Sequence, residues 1–462
     1  MIRSSLGALA LLAVTTSASA QSAQEQLDTR YDRALAAGYK ALFLCSALGN
    51  AERNGTTRTP ESVHDWELTG IQAPLDDIIR DLPYTVVRGE DGVIDHVEVT
   101  WDEAMPPRFA ALYGDGGCSI LPISATEYWA NPARAGFDFT MPSSDERTTG
   151  EEQQPVRTRY RVSEVAKSAF KERYGEGTRS TAVIVTKNGD LHWDEYADGF
   201  DPKTPQRTWS VAKSIAATLV GAAVHRGEVD VSESAGLGIH IYDPRFNITV
   251  DHALRMASGR YSDTAGNRTD PLYWGGTTVT ERAENWPLLH TPGTVYRYAN
   301  NDTLAAVQAI EHTFEENPPA KLFAELGMYN TVAEADWEGN YVLSSQVWST
   351  AQDLAKLGQL YLDDGVLPNG TRILPENWRE YVSSPSGPQP AGRPFGYGAG
   401  FWLLNNSEGV PADTFAAFGN RGQYVVIVPS RNVVIVRRGE DPVGSRFDIA
   451  TFTRDVLAAL GN

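Results

Sequence analysis

Apolar and polar positions fall into three different rhythms along this 462-residue chain. At the N-terminus Arg3 precedes a short unbroken apolar run, Leu6 to Val14, which ends in Ala18-Ser19-Ala20. A positive start, a brief apolar core and a small-residue cleavage site predict a secretory signal over residues 1–20, too short to span a bilayer. Residues 21–154 form a second region, with a helix predicted over Gln24–Ser46, irregular stretches after it, and a polar linker at Pro142–Gln154. From residue 155 to 462 the pattern is orderly. Residues 162–173 predict an amphipathic helix. Thr181-Ala182-Val183-Ile184-Val185 and Leu191-His192-Trp193 flank Asn188-Gly189, which predicts a hairpin. Thr350-Ala351-Gln352-Asp353 reads as a capping box that opens a helix through Leu362, with Gly365 ending it. Two strands, Tyr424–Val428 and Val433–Val436, surround a turn at Pro429–Asn432, and a last helix covers about Phe447–Leu460. Strands at both ends and helices between predict an α+β fold, an α/β sandwich: an antiparallel sheet built from both ends, flanked by helices, with an inserted helical region and a site at their junction.

One segment departs from these amphipathic patterns. After Ser210-Val211-Ala212-Lys213 come Ser214-Ile215-Ala216-Ala217-Thr218-Leu219-Val220, and the run closes at His225-Arg226-Gly227. A helix this poor in charge must be buried. Residues three apart share a helix face, so Ser210 and Lys213 would lie side by side. A serine hydroxyl becomes a nucleophile when a base takes its proton, and an amine in a dry site can lose its charge and serve. The helix start also offers unpaired N–H groups for an oxyanion. The plainer alternative is a capping serine with a lysine that snorkels to solvent. Ser168-Ala169-Phe170-Lys171 has the same spacing in a charged stretch and reads as a solvated face.

Composition narrows the surroundings. The formal net charge is −19, which disfavours nucleic acid and anionic membranes as partners, and no membrane association is expected once the signal is removed. Cys45 and Cys118, both in the N-terminal third, predict one disulfide in an oxidising compartment, periplasmic or secreted. Two cysteines and scattered histidines give no metal-ligand spacing, and no cofactor is implied.

Two further elements carry chemistry. Tyr298-Ala299-Asn300 places a phenol that can shuttle a proton beside a carboxamide that can orient a lysine or a substrate carbonyl. Gly419-Asn420-Arg421-Gly422-Gln423 leads into the Tyr424–Val428 strand, where glycine lets a substrate approach the backbone.

In this order the three elements resemble the serine β-lactamase and penicillin-binding-protein superfamily, most of all its class C-like serine hydrolases, a branch of esterases, D-stereospecific peptidases and 6-aminohexanoate-dimer hydrolases. The stretches Trp209–Ser214, His252–Gly259, Trp348–Ala355, Asp364-Gly365 through Arg372-Ile373-Leu374-Pro375, and Gly422-Gln423-Tyr424 are similar to that branch over residues 155–462. The resemblance implies Ser210 as an acylated nucleophile, Lys213 as its base or the holder of its proton network, and Tyr298 as a proton relay. It implies Asn300 as an orienting amide, and the N–H groups of Ser210 and Gln423 as an oxyanion hole. The third element departs from the family's lysine or histidine followed by a small residue and glycine: here it reads Asn420-Arg421-Gly422. Asn420 carries no charge, and Arg421 either replaces the missing cation by pointing inward or faces solvent. Tyr261, in Gly259-Arg260-Tyr261-Ser262-Asp263, is a candidate substrate contact, and Leu272-Tyr273-Trp274-Gly275-Gly276 is similarly placed. The expected function is a cofactor-free serine hydrolase of small esters or amides. A penicillin-recognising enzyme and a catalytically silent ligand-binding protein of the same fold are the alternatives. An α/β-hydrolase is excluded by the lack of a Gly-x-Ser-x-Gly elbow.

Overall fold

The computed structural model describes residues 6–127, 156–238, 240–261 and 269–461; the linker expected at Pro142–Gln154 lies outside them. Asn188 and Gly189 both take positive φ, +56° and +85°, the geometry of a tight hairpin turn. They join β5 (Ser180–Lys187) to β6 (Asp190–Tyr196). The C-terminal strands β13 (Gln423–Val428) and β14 (Val433–Gly439) pair antiparallel, and β14 pairs in turn with β5, Ile435 opposite Val185. With β10 (Gly396–Tyr397), β11 (Trp402–Leu403) and β12 (Phe415–Gly419) they make a seven-stranded antiparallel sheet, order β10-β11-β12-β13-β14-β5-β6. The sheet is therefore closed from both ends of the 155–462 region.

Its central strands are apolar on successive residues because both faces are covered. Ala182, Ile184, Val425, Ile427, Val434 and Val436 face one core, with helices α3 (Val211–Arg226) and α5 (Ala351–Leu362). Val183, Val185, Val426, Val428, Val433 and Ile435 face another, with α2 (Val156–Ser168) and α6 (Ile449–Leu460). The Thr350 hydroxyl caps α5 by accepting from Asp353 N–H. The capping box stays half made, since Asp353 instead accepts from Asn330 N–H and the Thr331 hydroxyl.

The N-terminal region is more ordered than expected. Helix α1 covers Leu6–Arg53. The stretch read as irregular holds a four-stranded antiparallel sheet of β1 (Tyr84–Arg88), β2 (Ile94–Val99), β3 (Arg108–Leu112) and β4 (Cys118–Ile120). The Cys45–Cys118 disulfide ties α1 to β4. Tyr39 and Phe43 of α1 pack on Trp209, Trp274 and Trp348, so this region shares a hydrophobic core with the chain that leads to Ser210. A small third sheet, β7 (Gln206–Arg207) and β8 (Val332–Ala333) on either side of β9 (Val347–Ser349), delivers the chain to that serine.

Candidate active site

Strand β7 ends at Arg207, and Thr208 N–H donates to Val347 O at 2.8 Å. Trp209 then turns the chain with φ +50°, a costly conformation for a bulky residue that persists only where the surroundings hold it. Its indole is held: Phe43 and Trp274 pack on it, and the buried Arg207 guanidinium lies 4.4 Å from its ring centroid. The turn sets Ser210 at the head of α3. Ser210 makes no side-chain cap to the helix, so its hydroxyl is free of the capping role, and it stands near the Tyr298 phenol, where it works against the upward pull of burial on that group.

Helix α3 is buried from Val211 to Ala223, which takes Lys213 inward rather than out to solvent. The lysine is 1 % exposed. Its Nζ donates to Asn300 Oδ1 at 2.5 Å and to Ser344 O at 2.7 Å, and lies 5.3 Å from the Tyr298 ring centroid. Both acceptors are uncharged, so burial prevails and pulls the lysine down to about 7. Burial pushes the Tyr298 phenol up. At neutral pH the site therefore holds an amine that can be neutral beside a phenol that stays protonated. Asn300 is the first residue of α4 (Asn300–Gln308), which fixes its amide toward Lys213.

These groups open onto a cavity of about 750 Å³ walled by Trp209, Tyr273, Trp274, Tyr298, Trp402 and Phe418, with Ser210, Asn300, Gly419 and Asn420 among its polar and backbone lining. Burial raises the Asp270 carboxyl on this wall to about 6. Gly419 comes close to the chain before Ser210: a Cβ there would lie 2.3 Å from Thr208 O.

The structure puts Ser210, Tyr298, Asn300 and Asn420 on the cavity wall, with Lys213 behind it against Asn300 and Tyr298, and leaves Arg421, Gly422, Gln423 and Tyr261 off the wall. Arg421 neither points into the site nor faces solvent. With φ +57° it turns its guanidinium behind the β12–β13 connection, where Nε meets Glu440 at 2.6 Å. A buried guanidinium needs such a partner. Gly422 sits against Arg437 and Asp441, with no room for a Cβ. Gln423 pairs with Gly419 in the hairpin, and its amide bonds to Gly439 O and Arg438. Backbone lining the cavity beside Ser210 is thus Gly419-Asn420, which moves the second candidate oxyanion donor from Gln423 to Asn420. Tyr261 is 40 % exposed and turned toward Trp286 and Arg297. The sequence did not point to Ser344, whose carbonyl receives Lys213, or to Gln72 and Ala73, which reach the cavity from the N-terminal region. The second Ser-x-x-Lys, Ser168 to Lys171, lies at the end of α2, with Lys171 exposed.

A sequence model of the Beta-lactamase family matches residues 166–458. The 6-aminohexanoate-dimer hydrolase of Paenarthrobacter ureafaciens is 26 % identical over 302 residues, covering 58 % of this chain and 74 % of that protein. Penicillin-binding protein 4 of Amycolatopsis lactamdurans is 24 % identical over 335 residues, covering 60 % and 85 %. Among solved structures, the octameric penicillin-binding protein homologue from Pyrococcus abyssi is similar in fold, with a TM-score of 0.51 at 19 % identity over 65 % of this chain and 77 % of that one.

Proposed function

The chain belongs to the beta-lactamase family of serine hydrolases, and from that premise we propose that it cleaves small esters or amides through an acyl-enzyme on Ser210. Ser210 Oγ adds to the substrate carbonyl carbon while its proton passes to Tyr298 Oη and on to the neutral Lys213 amine. The oxyanion that forms is held by the N–H groups of Ser210 and Asn420, each such donor lowering the barrier by a few kcal/mol. The relay then returns the proton to the leaving alcohol or amine as the carbonyl reforms. Water takes the serine's place in the second half, giving up its proton along the same path, and the acid leaves. The observation that carries this reading is the Ser210 hydroxyl. It is unused as a cap, stands near the Tyr298 phenol, and lies one helical turn from a lysine drawn down to about 7. A silent binding protein has no need of a lysine buried at that cost.

Two features favour esters and amides over penicillins. Asn420 is uncharged, and Arg421 is committed to Glu440. The Cys45–Cys118 bond supports export to an oxidising compartment. The test is mass spectrometry of the protein mixed separately with p-nitrophenyl butyrate, a cephalosporin and a linear 6-aminohexanoate dimer. Transient acylation of Ser210 by the ester or linear amide is expected. A long-lived cephalosporin adduct would return the chain to the penicillin-recognising branch, and no adduct or turnover with any of them would favour the binding protein.

A further inference from the structure

The N-terminal region does more than pack behind the site: one of its loops, residues 66–73, forms part of the catalytic cavity's wall. Three sets of contacts fix this loop. Arg421 Nη2 donates to Trp66 O and Thr69 O, both at 2.8 Å, while its Nε holds Glu440. Val443 N–H donates to Gly70 O at 2.8 Å, and Gly70 fits so closely that a Cβ would lie 2.7 Å from that of Pro442. Asp76 accepts from Gly70 N–H at 2.8 Å and from Ile71 N–H at 3.2 Å. The arginine at the β12–β13 turn thus joins the loop to the backbone beside Ser210.

Next in the chain, Gln72 lines the same cavity as Ser210. It is half-buried, and among the described residues its side-chain amide has no hydrogen-bond partner, although its backbone carbonyl accepts from Leu75 N–H. Of the other carboxamides on this wall, Asn300 already gives its oxygen to Lys213 and Asn420 is exposed. Much of the surrounding wall is aromatic, so an amide group on a bound substrate would lose its water there and need a protein partner. A carboxamide supplies a matching donor and acceptor.

We propose that Gln72 is an amide-recognising subsite: its carboxamide pairs with a secondary amide that the substrate carries away from the bond being cleaved, and Arg421 is the positioning residue that holds the loop in place. This rests on Ser210 being the nucleophile. The test compares p-nitrophenyl heptanoate with p-nitrophenyl 4-acetamidobutyrate, esters of equal chain length of which only the second carries an amide. Wild type should show the lower KM for the acetamido ester. Gln72→Ala should raise that KM about tenfold, the worth of one to two hydrogen bonds, with kcat and the heptanoate KM unchanged. Gln72→Glu, which keeps the acceptor and loses the donor, should fall between them. Equal KM values in wild type, or a Gln72→Ala variant that keeps the preference or loses activity equally on both esters, would overturn the subsite. Labelling of Ser210 by a fluorophosphonate separates the two readings. Labelled wild type with no amide preference refutes the subsite alone, whereas unlabelled, inactive wild type refutes the nucleophile and the subsite with it.

Discussion

The stability cost of Lys213 and the catalytic use proposed for it share one cause. Burial against two neutral acceptors lowers it from 10.5 to about 7. The neutral amine dominates above that value, so the rate of Ser210 acylation should climb from pH 6 to 8 with a midpoint near 7. Labelling rates across that range check this, and a flat profile would remove Lys213 as the base. Lys213→Ala should abolish labelling. Between the folded value and the ordinary lysine value the unfolded chain binds a proton that the folded chain does not, so stability rises with pH across that window. Relative to Lys213→Met, wild type should therefore gain up to about 1.4 kcal/mol per pH unit above pH 7, read from urea unfolding of both proteins at pH 6.5 and 9. The residues of the proposed relay were legible because Ser210 and Lys213 stand three apart at the head of a nearly uncharged run and Tyr298 stands two before Asn300. The direction of Arg421 was not. It depends on a left-handed backbone and on partners at Glu440, Trp66 and Thr69, the last two 355 and 352 residues away.

Among the elements, those buried on every side announced themselves most clearly. Helix α3 lacks charge between Lys213 and His225 because sheet and helices cover it, and β5, β13 and β14 read as unbroken apolar runs for the same reason. The N-terminal sheet stayed hidden because β1 is partly exposed along its length and β4 is only three residues long; neither leaves a rhythm long enough to recognise. Tight burial also makes α3 intolerant of added volume. A Cβ at Gly221 would lie 2.5 Å from the Trp378 indole. Gly221→Ala, normally a gain in a helix, should instead destabilise by about 1–3 kcal/mol, measured by denaturant unfolding. Increased stability would mean that Trp378 can move aside.

At the scale of the whole molecule, the match to the family begins at residue 166, yet the core that holds Ser210, the proposed nucleophile, begins in α1. Trp209, whose left-handed turn aims Ser210, packs with Phe43 and Trp274, and the Arg207 cation lies near the Phe43, Trp209 and Trp274 rings. Removing α1 and β1–β4 would expose Trp209, Trp274 and Trp348 together and strip the Trp209 turn of part of its support. Exposed aromatic patches of that kind favour association rather than a soluble fold. A fragment spanning residues 156–462 should therefore fail to yield soluble protein that a fluorophosphonate labels. Co-expression with residues 21–155 should restore labelling if packing across this core is what the fragment lacks. A soluble fragment labelled at the wild-type rate would show that the family-matched region builds its nucleophile alone, and that the aromatic core beneath Trp209 contributes nothing to aiming Ser210.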